Sequence, residues 1–537
     1  MIQRRWIILL FVVLGIITYA NGLGNEMFWD DDDFILKNRF IKDWQYLPLF
    51  FSQNLVAGSY LMSNYWRPFL LIVFSMEWHW WGSWVYGWHA VNILVHTLDS
   101  TVLFFLLGRL TLSRNISLLI AILFLVHPAH NEAVVYANSL GDSLSTFFVL
   151  SSLLLFARFR RSCKPAFLSR NYYFAFLCFP LAIMSKETGF VLCALVTLVD
   201  FLIFQANRSF WLRVKKTFCS VWPYLVLALI YVYLRGHILN FNNSFNFYNE
   251  TNAFTSSILV RIGTFFKAMV QYAGLLFCPY ELRVERQLPW AKSPLELDVL
   301  GGGILVAVML ACAFYYWKKK PLLSLGLFWF FAAMMPTSNI LVPINAVLYE
   351  HFLYVPTMGV LIGIIPILAR WVGNNHHWQK FSLILFVVIM IIFIGINIRR
   401  NTDWKTAIGF YEKLVQYAPS YRVINNLGMA YADHKLYDKS EATYRRSIAM
   451  DPANPVAYHN LAGTLRDTGR IKEAIDNFQK ALKLNPNFLF SYKSLAQLYL
   501  QLGDYKNCRE NLLQFLRMDP YDANARQALN FVEEKIK

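Results

Sequence analysis

Acidic side chains occur in short clusters inside a sequence that is otherwise strongly apolar. The first cluster is the run Asp30, Asp31, Asp32 and Asp33, which follows Trp29. Carboxylates of this kind serve as general bases toward a hydroxyl group, and they also bind divalent cations such as Mg²⁺. A solvated acidic loop is the alternative interpretation. Asp30 and Asp31 are therefore candidates both for catalysis and for a metal site.

Further ionisable and polar side chains lie in or beside the apolar runs. They are His89, Asn92 and His96; His127, His130 and Glu132; Asp142; Lys186 and Glu187; and Glu350 and His351. Ionisable groups at membrane depth are rare and usually functional, although a lone histidine on a helix is more often a packed, hydrogen-bonded side chain. Cations among them suit a phosphate leaving group, but ion coupling in a transporter would use the same residue types.

The elements that position these residues are expected to be membrane-spanning helices. The chain of 537 residues is 57% hydrophobic and only 15% charged, and its long apolar runs lie in residues 1–400. A span needs about 20 mostly apolar residues, which predicts eleven of them. The predicted spans are 6–22, 84–109, 115–130, 134–157, 171–186, 188–205, 218–235, 298–317, 321–341, 352–372 and 381–398.

Charge predicts the orientation of these spans. The net charge is +17, and the basic residues form short clusters between apolar runs, as at 158–170 and 318–320. This is the positive-inside pattern, and no nucleic-acid-binding motif accompanies it. The N-terminus is then cytoplasmic, residues 23–83 and 236–297 are external loops, and 258–280 is an interfacial helix. The acidic and histidine clusters fall on the external side, which predicts a polar cavity open to the outside.

Residues 401–537 contain an internal repeat with a period of 34 residues. Positions that recur at this period are Pro452, Pro486 and Pro520, and Leu427, Leu461 and Leu495. The pattern is typical of tetratricopeptide repeats (TPRs), in which each repeat is a helix pair. We predict repeats at 421–454, 455–488 and 489–522 and a capping helix at 523–535. Such a domain usually binds a protein or peptide, with a structural spacer as the alternative.

Several short motifs occur in order along the apolar part of the chain. They are Trp29-Asp30-Asp31; Arg67-Pro68 followed by His89, Asn92 and His96; His127-Pro128 with Glu132; Lys186-Glu187; and Pro336 to Asn339 followed by Glu350 to Gly359. With the TPR tail they resemble the GT-C superfamily of integral-membrane glycosyltransferases, and within it the transmembrane-and-TPR protein O-mannosyltransferases and their bacterial relatives. The resemblance implies an all-α transmembrane bundle of about eleven spans followed by a TPR α-solenoid.

The resemblance also implies a chemistry. Family members transfer a sugar from a polyprenyl-phosphate carrier to a hydroxyl, typically of protein Ser or Thr, with inversion. Asp30 or Asp31 would then be the catalytic acidic residue, and Glu132 a second acidic contact. The remaining candidate substrate contacts are His89, Asn92, His96, His127, His130, Asp142, Lys186, Glu187, Asn339, Glu350, His351 and Tyr354.

Cations are expected to meet the carrier phosphate. Lys186 is one candidate, and Arg283 and Arg286 in the long external segment are others by position alone. The family usually has arginine where this chain has His351, and another near Leu140. These departures leave a non-catalytic TPR scaffold as an alternative, beside a transferase acting on a lipid or surface glycan.

The implied partners are a lipid-linked sugar donor, a protein acceptor or partner bound by the TPRs, and the lipid bilayer, without nucleic acid. No cofactor other than the donor is implied with certainty, and a divalent metal at Asp30 and Asp31 is left open. The implied location is a bacterial inner membrane or an ER membrane, with the TPR domain on the extracytoplasmic side.

Overall fold

The computed structural model of the protein describes residues 4–162, 165, 168–239, 241, 252–286, 288–344, 346–520 and 522–537. The chain divides into two compact units, Met1–Lys405 and Thr406–Lys537, which we call the membrane unit and the TPR unit. The described residues are mainly helical and include no β-strand. This confirms the predicted class, an all-α membrane bundle with a TPR solenoid.

The membrane unit contains sixteen α-helices within the described ranges. They are α1 (Arg4–Tyr19), α2 (Leu47–Ser52), α3 (Pro68–Trp81), α4 (Val85–Arg109), α5 (Arg114–Val126), α6 (Asn131–Val135), α7 (Leu140–Arg161), α8 (Arg170–Ser185), α9 (Leu192–Val199), α10 (Phe210–His237), α11 (Ala253–Ser256), α12 (Ile258–Phe277), α13 (Leu297–Tyr316), α14 (Pro321–Met334), α15 (Tyr354–Val372) and α16 (His376–Asn401). Long apolar runs form helices because lipid offers the backbone no hydrogen-bond partners, and a helix satisfies its backbone hydrogen bonds internally.

Eight helical segments of the described chain are long and apolar enough to cross a membrane, or nine if the bent pair Arg114–Val126 and Pro128–Val135 forms one span. The multi-pass character is therefore confirmed, but eleven spans are not supported by length. Helix α8 has 16 residues. The predicted span 321–341 is shorter than expected because the helix gives way to a 3₁₀ turn at Met335–Thr337, and Asn339 has a left-handed backbone with φ of +61°.

Helices α14 and α15 touch through their main chains. A Cβ atom added at Gly326 would lie 2.4 Å from the carbonyl oxygen of Gly359, and one at Gly359 would lie 2.5 Å from the carbonyl oxygen of Gly326. Nearby, Nε1 of the fully buried Trp329 donates to the carbonyl of Val355 over 3.1 Å. These contacts fix the N-terminal end of α15, which follows Glu350 and His351.

Helix α12 differs from the candidate spans. It has 20 residues, but it carries Arg261 and Lys267 and does not qualify as a span. Lys267 pairs with Glu296 over 2.8 Å. The predicted interfacial position of this helix stays a prediction, and residues 242–251 of the same predicted external loop lie outside the described residues.

The TPR unit contains eight described α-helices. They are α17 (Ala407–Tyr417), α18 (Tyr421–Asp433), α19 (Tyr437–Met450), α20 (Pro455–Asp467), α21 (Ile471–Leu484), α22 (Leu489–Gln501), α23 (Tyr505–Met518) and α24 (Ala523–Ile536). Pairs α18–α19, α20–α21 and α22–α23 occupy the three predicted repeats, and α24 occupies the predicted capping segment. Leu461, Ala462 and Phe478 are buried between neighbouring helices, as stacked helix pairs require.

Candidate active site

The first loop holds its acidic residues against the turn that precedes α7. The backbone N–H of Asp30 donates to the hydroxyl of Tyr136 over 2.9 Å, and the N–H of Asn138 donates to Oδ1 of Asp31 over 2.8 Å. Trp29, directly before them, has a φ of +63°, a left-handed conformation uncommon for residues other than glycine. Two adjacent acidic residues of the first loop are thereby fixed beside the segment that runs from His127 to Asn138.

These two carboxylates differ in exposure. Asp31 is 1% exposed, whereas Asp30 is only partly buried. Burial raises the pKa of the Asp31 carboxyl well above its usual value, opposed by the hydrogen bond from Asn138 and reinforced by the charge of Asp30. Asp31 therefore anchors the loop, while Asp30 is the more accessible carboxylate.

Asp32 and Asp33 begin the π-helical turn Asp32–Leu36. Asp32 pairs with Lys37 over 3.3 Å, and burial raises the pKa of Asp33, opposed by the charge of Lys37. In the part of the chain that the structure describes, no group of three or more His, Cys, Asp or Glu side chains is placed to hold a metal ion. A metal bound by Asp30 and Asp31 stays a prediction.

The segment from His127 to Asn138 meets the motif that begins at Glu350. The contact is between Glu132 and His351. Nδ1 of His351 lies 2.9 Å from Oε1 of Glu132, and the backbone N–H of His351 donates to Oε2 over 3.3 Å. The histidine that stands where the family usually has arginine is therefore the direct partner of a predicted acidic contact.

Glu350 is a fully buried carboxylate surrounded by arginine residues. Arg286 approaches it to 3.4 Å and Arg400 to 3.9 Å, and the backbone N–H of Arg283 donates to Oε1. The side chain of Arg283 instead pairs with Glu281 at the surface. Both arginines that were expected to meet a phosphate thus have protein carboxylates as partners.

Two further ion pairs hold the segment after α8, one to α7 and the other to the first loop. Nζ of Lys186 lies 2.6 Å from Oδ2 of Asp142. Arg67 binds Oε2 of Glu187 through Nε and Nη2, both at 2.9 Å, and the N–H of Trp66 donates to Oε1 over 3.2 Å. Arg67 was not predicted as a site residue, although the Arg67-Pro68 motif was a signal that could have identified it as one.

The polar face of α4 is hydrogen-bonded to backbone carbonyls of the loops around it. His89 donates to a first-loop carbonyl over 3.0 Å, Asn92 donates to the carbonyl of Tyr136 over 2.8 Å, and His96 donates to a carbonyl of α5 over 2.9 Å. The Tyr354 hydroxyl lies 2.6 Å from Nδ1 of His96. In the structure these side chains position the loops that carry the acidic residues.

His127, His130 and Asn339 also bind backbone. His127 donates to a carbonyl of α12 over 3.1 Å, and His130 donates to the carbonyl of Phe124 over 2.8 Å, so both stabilise the break between α5 and α6. Asn339 donates to the carbonyl of Ala346 over 2.8 Å and closes its own loop. These contacts are structural, and a contact of any of the three with substrate stays a prediction.

The acidic residues converge although they are distant in sequence. Asp30 contacts Tyr136, which directly follows α6, and α6 carries Glu132 toward His351. Burial raises the pKa of the Tyr65 hydroxyl, and the charges of Arg67, Glu187 and Asp30 act on the same group. Asp30 and the Arg67–Glu187 pair therefore lie near the same hydroxyl group. Sequence reasoning missed Tyr65, Tyr136 and Asn138, which carry no motif of their own.

A partly exposed carboxylate in a region that also contains largely buried cations defines a class of site. The carboxylate can accept a proton from a hydroxyl, and the cations can stabilise negative charge that develops nearby. This site lies in a multi-pass helical membrane protein that carries a TPR solenoid. The tetratricopeptide repeat family matches residues 421–454, 455–488 and 477–510.

Several curated proteins are similar to this chain in sequence. The chain is 25% identical to Protein O-mannosyl-transferase F38B6.6 of Caenorhabditis elegans, over 83% of this chain and 63% of that protein. It is 22% identical to Protein O-mannosyl-transferase TMTC3 of Homo sapiens, over 97% and 60% respectively, and 25% identical to human TMTC4, over 80% and 64%. The resemblance to the transmembrane-and-TPR protein O-mannosyltransferases is thus confirmed. The chain spans less than two thirds of each of these relatives.

Proposed function

We propose that this protein is a membrane glycosyltransferase that transfers a sugar from a polyprenyl-phosphate carrier to Ser or Thr hydroxyl groups of a protein acceptor. The reaction takes place on the extracytoplasmic or lumenal side of the membrane. The observation that carries the proposal is the placement of Asp30, which is partly exposed, is bound through its backbone to Tyr136, and lies near the same Tyr65 hydroxyl as Arg67 and Glu187. The names of the relatives support the reaction class.

Asp30 acts as the general base in this proposal. Its carboxylate accepts the proton of the acceptor hydroxyl while the hydroxyl oxygen attacks the anomeric carbon of the sugar. The bond between that carbon and the phosphate oxygen breaks, and the phosphate leaves with the electron pair. Configuration at the anomeric carbon inverts because attack and departure occur on opposite faces. Asp31, bound by Asn138, positions Asp30, and Glu132 contacts the acceptor or the sugar.

The TPR unit binds the acceptor or a partner protein in this proposal. Stacked helix pairs form an extended surface suited to peptide binding, and the chain has at least three such pairs among its described residues. This role would raise the local concentration of acceptor segments near the membrane.

Sugar transfer by the purified protein tests the proposal. The wild type, the double variant Asp30→Asn/Asp31→Asn and the control Asp298→Asn, which alters an exposed acid of α13, are given a panel of radiolabelled polyprenyl-phosphate sugars and a Ser/Thr-rich acceptor. We expect label on protein with wild type and control, and a loss of about 100-fold or more in the double variant. Label on lipid or glycan would move the function to another acceptor class. The absence of transfer from every donor would favour a TPR scaffold.

A further inference from the structure

Arg235, at the end of α10, is a cation whose hydrogen-bond partners in the described part of the chain are all neutral. Its Nη1 donates to the carbonyl of Leu239 over 3.0 Å, and its Nη2 donates to the carbonyl of Asn64. Among the described residues no carboxylate forms an ion pair with it. A guanidinium group held by carbonyl oxygens keeps its full charge available for an anion.

Arg235 and Arg67 are anchored to one short segment of the first loop. Arg235 binds the carbonyl of Asn64, and Arg67 lies three residues further along, where it binds Glu187. An extended chain covers at most about 10 Å over three residues, so the two arginines are held by neighbouring positions of the same segment. The charges of both arginines act on Glu187 and on the hydroxyl of Tyr65, which lies between Asn64 and Arg67 in sequence.

The ion pairs of this cluster leave one cation over. Arg67 pairs with Glu187 and Lys186 pairs with Asp142, whereas Arg235 forms no ion pair with a carboxylate among the described residues. The charge of Asp30 also acts in this region, and Asp30 is the base of the proposed reaction. A sugar phosphodiester of a lipid carrier has one negative charge, and its phosphate gains a second as the sugar leaves, so Arg235 complements the donor and favours the product still more.

The position of Arg235 along its helix suits a membrane-embedded ligand. Helix α10 has 28 residues and is a candidate span, so it is about 42 Å long, against a hydrocarbon core of about 30 Å. Its last turn therefore reaches the head-group level, where the phosphate of a polyprenyl carrier lies.

We propose that Arg235, which is anchored beside the Arg67–Glu187 pair, binds the phosphate of the lipid carrier. This inference rests on the proposed function and assigns its donor subsite to a cation from α10. Arg235 supplies positive charge that is missing near position 140 and at position 351, where the family usually has arginine. Arg286 and Lys186 do not supply it either, because each is paired with a carboxylate.

Binding of farnesyl phosphate and of farnesol, both radiolabelled, to the full chain in detergent tests the inference without any sugar transfer. We expect Arg235→Gln to weaken farnesyl phosphate binding by about 10-fold or more, as loss of a charge-assisted contact does, and to leave farnesol binding unchanged. Arg235→Lys should bind farnesyl phosphate with an affinity between those of the wild type and Arg235→Gln. Lys292→Gln, a change at an exposed residue of the same predicted external segment, should match wild type for both ligands.

Two results would overturn the inference. Wild-type affinity for farnesyl phosphate in Arg235→Gln would show that the phosphate lies elsewhere, and equal loss of phosphate and alcohol would show that Arg235 only shapes the loop. If the wild type transfers sugar and Arg235→Gln binds farnesyl phosphate normally, the inference fails and the proposed function stands. If phosphate binding depends on Arg235 and no donor supports transfer, the inference stands and the proposed function fails.

Discussion

The two units use ion pairs differently. In the membrane unit, Arg67 and Glu187 are 120 residues apart in sequence, and their side chains are 10% and 26% exposed. In the TPR unit, Arg445 and Glu441 are one turn apart on α19, and the arginine side chain is 54% exposed. Removal of one partner from a buried pair leaves an unsolvated charge, whereas an exposed pair exchanges partners with water. The Arg67–Glu187 pair therefore helps to join distant segments of the membrane unit, whereas the Arg445–Glu441 pair has little structural weight in the TPR unit.

The TPR unit should instead depend on its apolar positions. Phe478 on α21 is 1% exposed and lies in the core between neighbouring repeats. Phe478→Ala should destabilise this unit by about 3–5 kcal/mol, because it removes a large buried ring and leaves a cavity. Hydrogen exchange of α20 to α23 in the full chain, read by mass spectrometry, measures the effect. Lys480→Ala, at an exposed position of the same helix, is the control, and equal exchange in both variants would contradict the prediction.

The matching test in the membrane unit is Arg67→Ala. It leaves Glu187 without its cation, and we expect destabilisation near the lower end of about 3–5 kcal/mol because Glu187 keeps some contact with solvent. Thermal melting in detergent measures the loss. The double variant Arg67→Met/Glu187→Leu should recover most of it, since both charges are then absent. A double variant as unstable as the single one would mean that the pair itself does not join these segments.

A smaller effect with a defined pH dependence is expected at Asp31. Burial raises its folded-state pKa above the unfolded value, so the folded protein binds this proton more tightly. The stabilisation is fully present below the unfolded pKa and is lost as pH rises through the folded pKa. Asp31→Asn should therefore melt above wild type at neutral pH, and the difference should disappear toward pH 4, near the usual pKa of aspartate. A difference that grows in acid would contradict the raised pKa.

The smallest effect is expected for Arg445→Ala. Its ion pair is exposed and local, so its loss should change the stability of the TPR unit by about 0.5 kcal/mol or less, and by still less at high salt. Chemical denaturation at two salt concentrations measures this. A loss comparable with that of Arg67→Ala would remove the distinction between the two units.

The same distinction explains which features could be predicted from the sequence. The TPR helices follow from Leu427, Leu461 and Leu495, because a helix pair that repeats every 34 residues makes every contact local. The membrane helices follow from apolar length, but α8 and α14 are short, and length alone does not separate a span from a shorter buried helix.

The site was only partly accessible to such reasoning. Asp30, Asp31, Glu132 and His351 were proposed from residue type and motif. The structure binds the first two to Tyr136 and Asn138 and pairs the last two with each other, and their roles in catalysis or binding stay predictions. The partners of these residues could not be predicted, because ion pairing depends on three-dimensional neighbours. Arg283 and Arg286 were expected to serve a phosphate and are instead paired with Glu281 and Glu350.

The touching main chains of α14 and α15 limit how this protein can move. Gly326 and Gly359 leave no side chain between the helices that could rotate away during a sliding motion, so a shift of either helix would press a carbonyl oxygen into its neighbour. The two helices consequently behave as one rigid body, which carries Glu350 and His351 at its end. A side chain added at either glycine would collide with the backbone of the other helix, whatever residue stands there, so a second change at the facing position would not relieve the first.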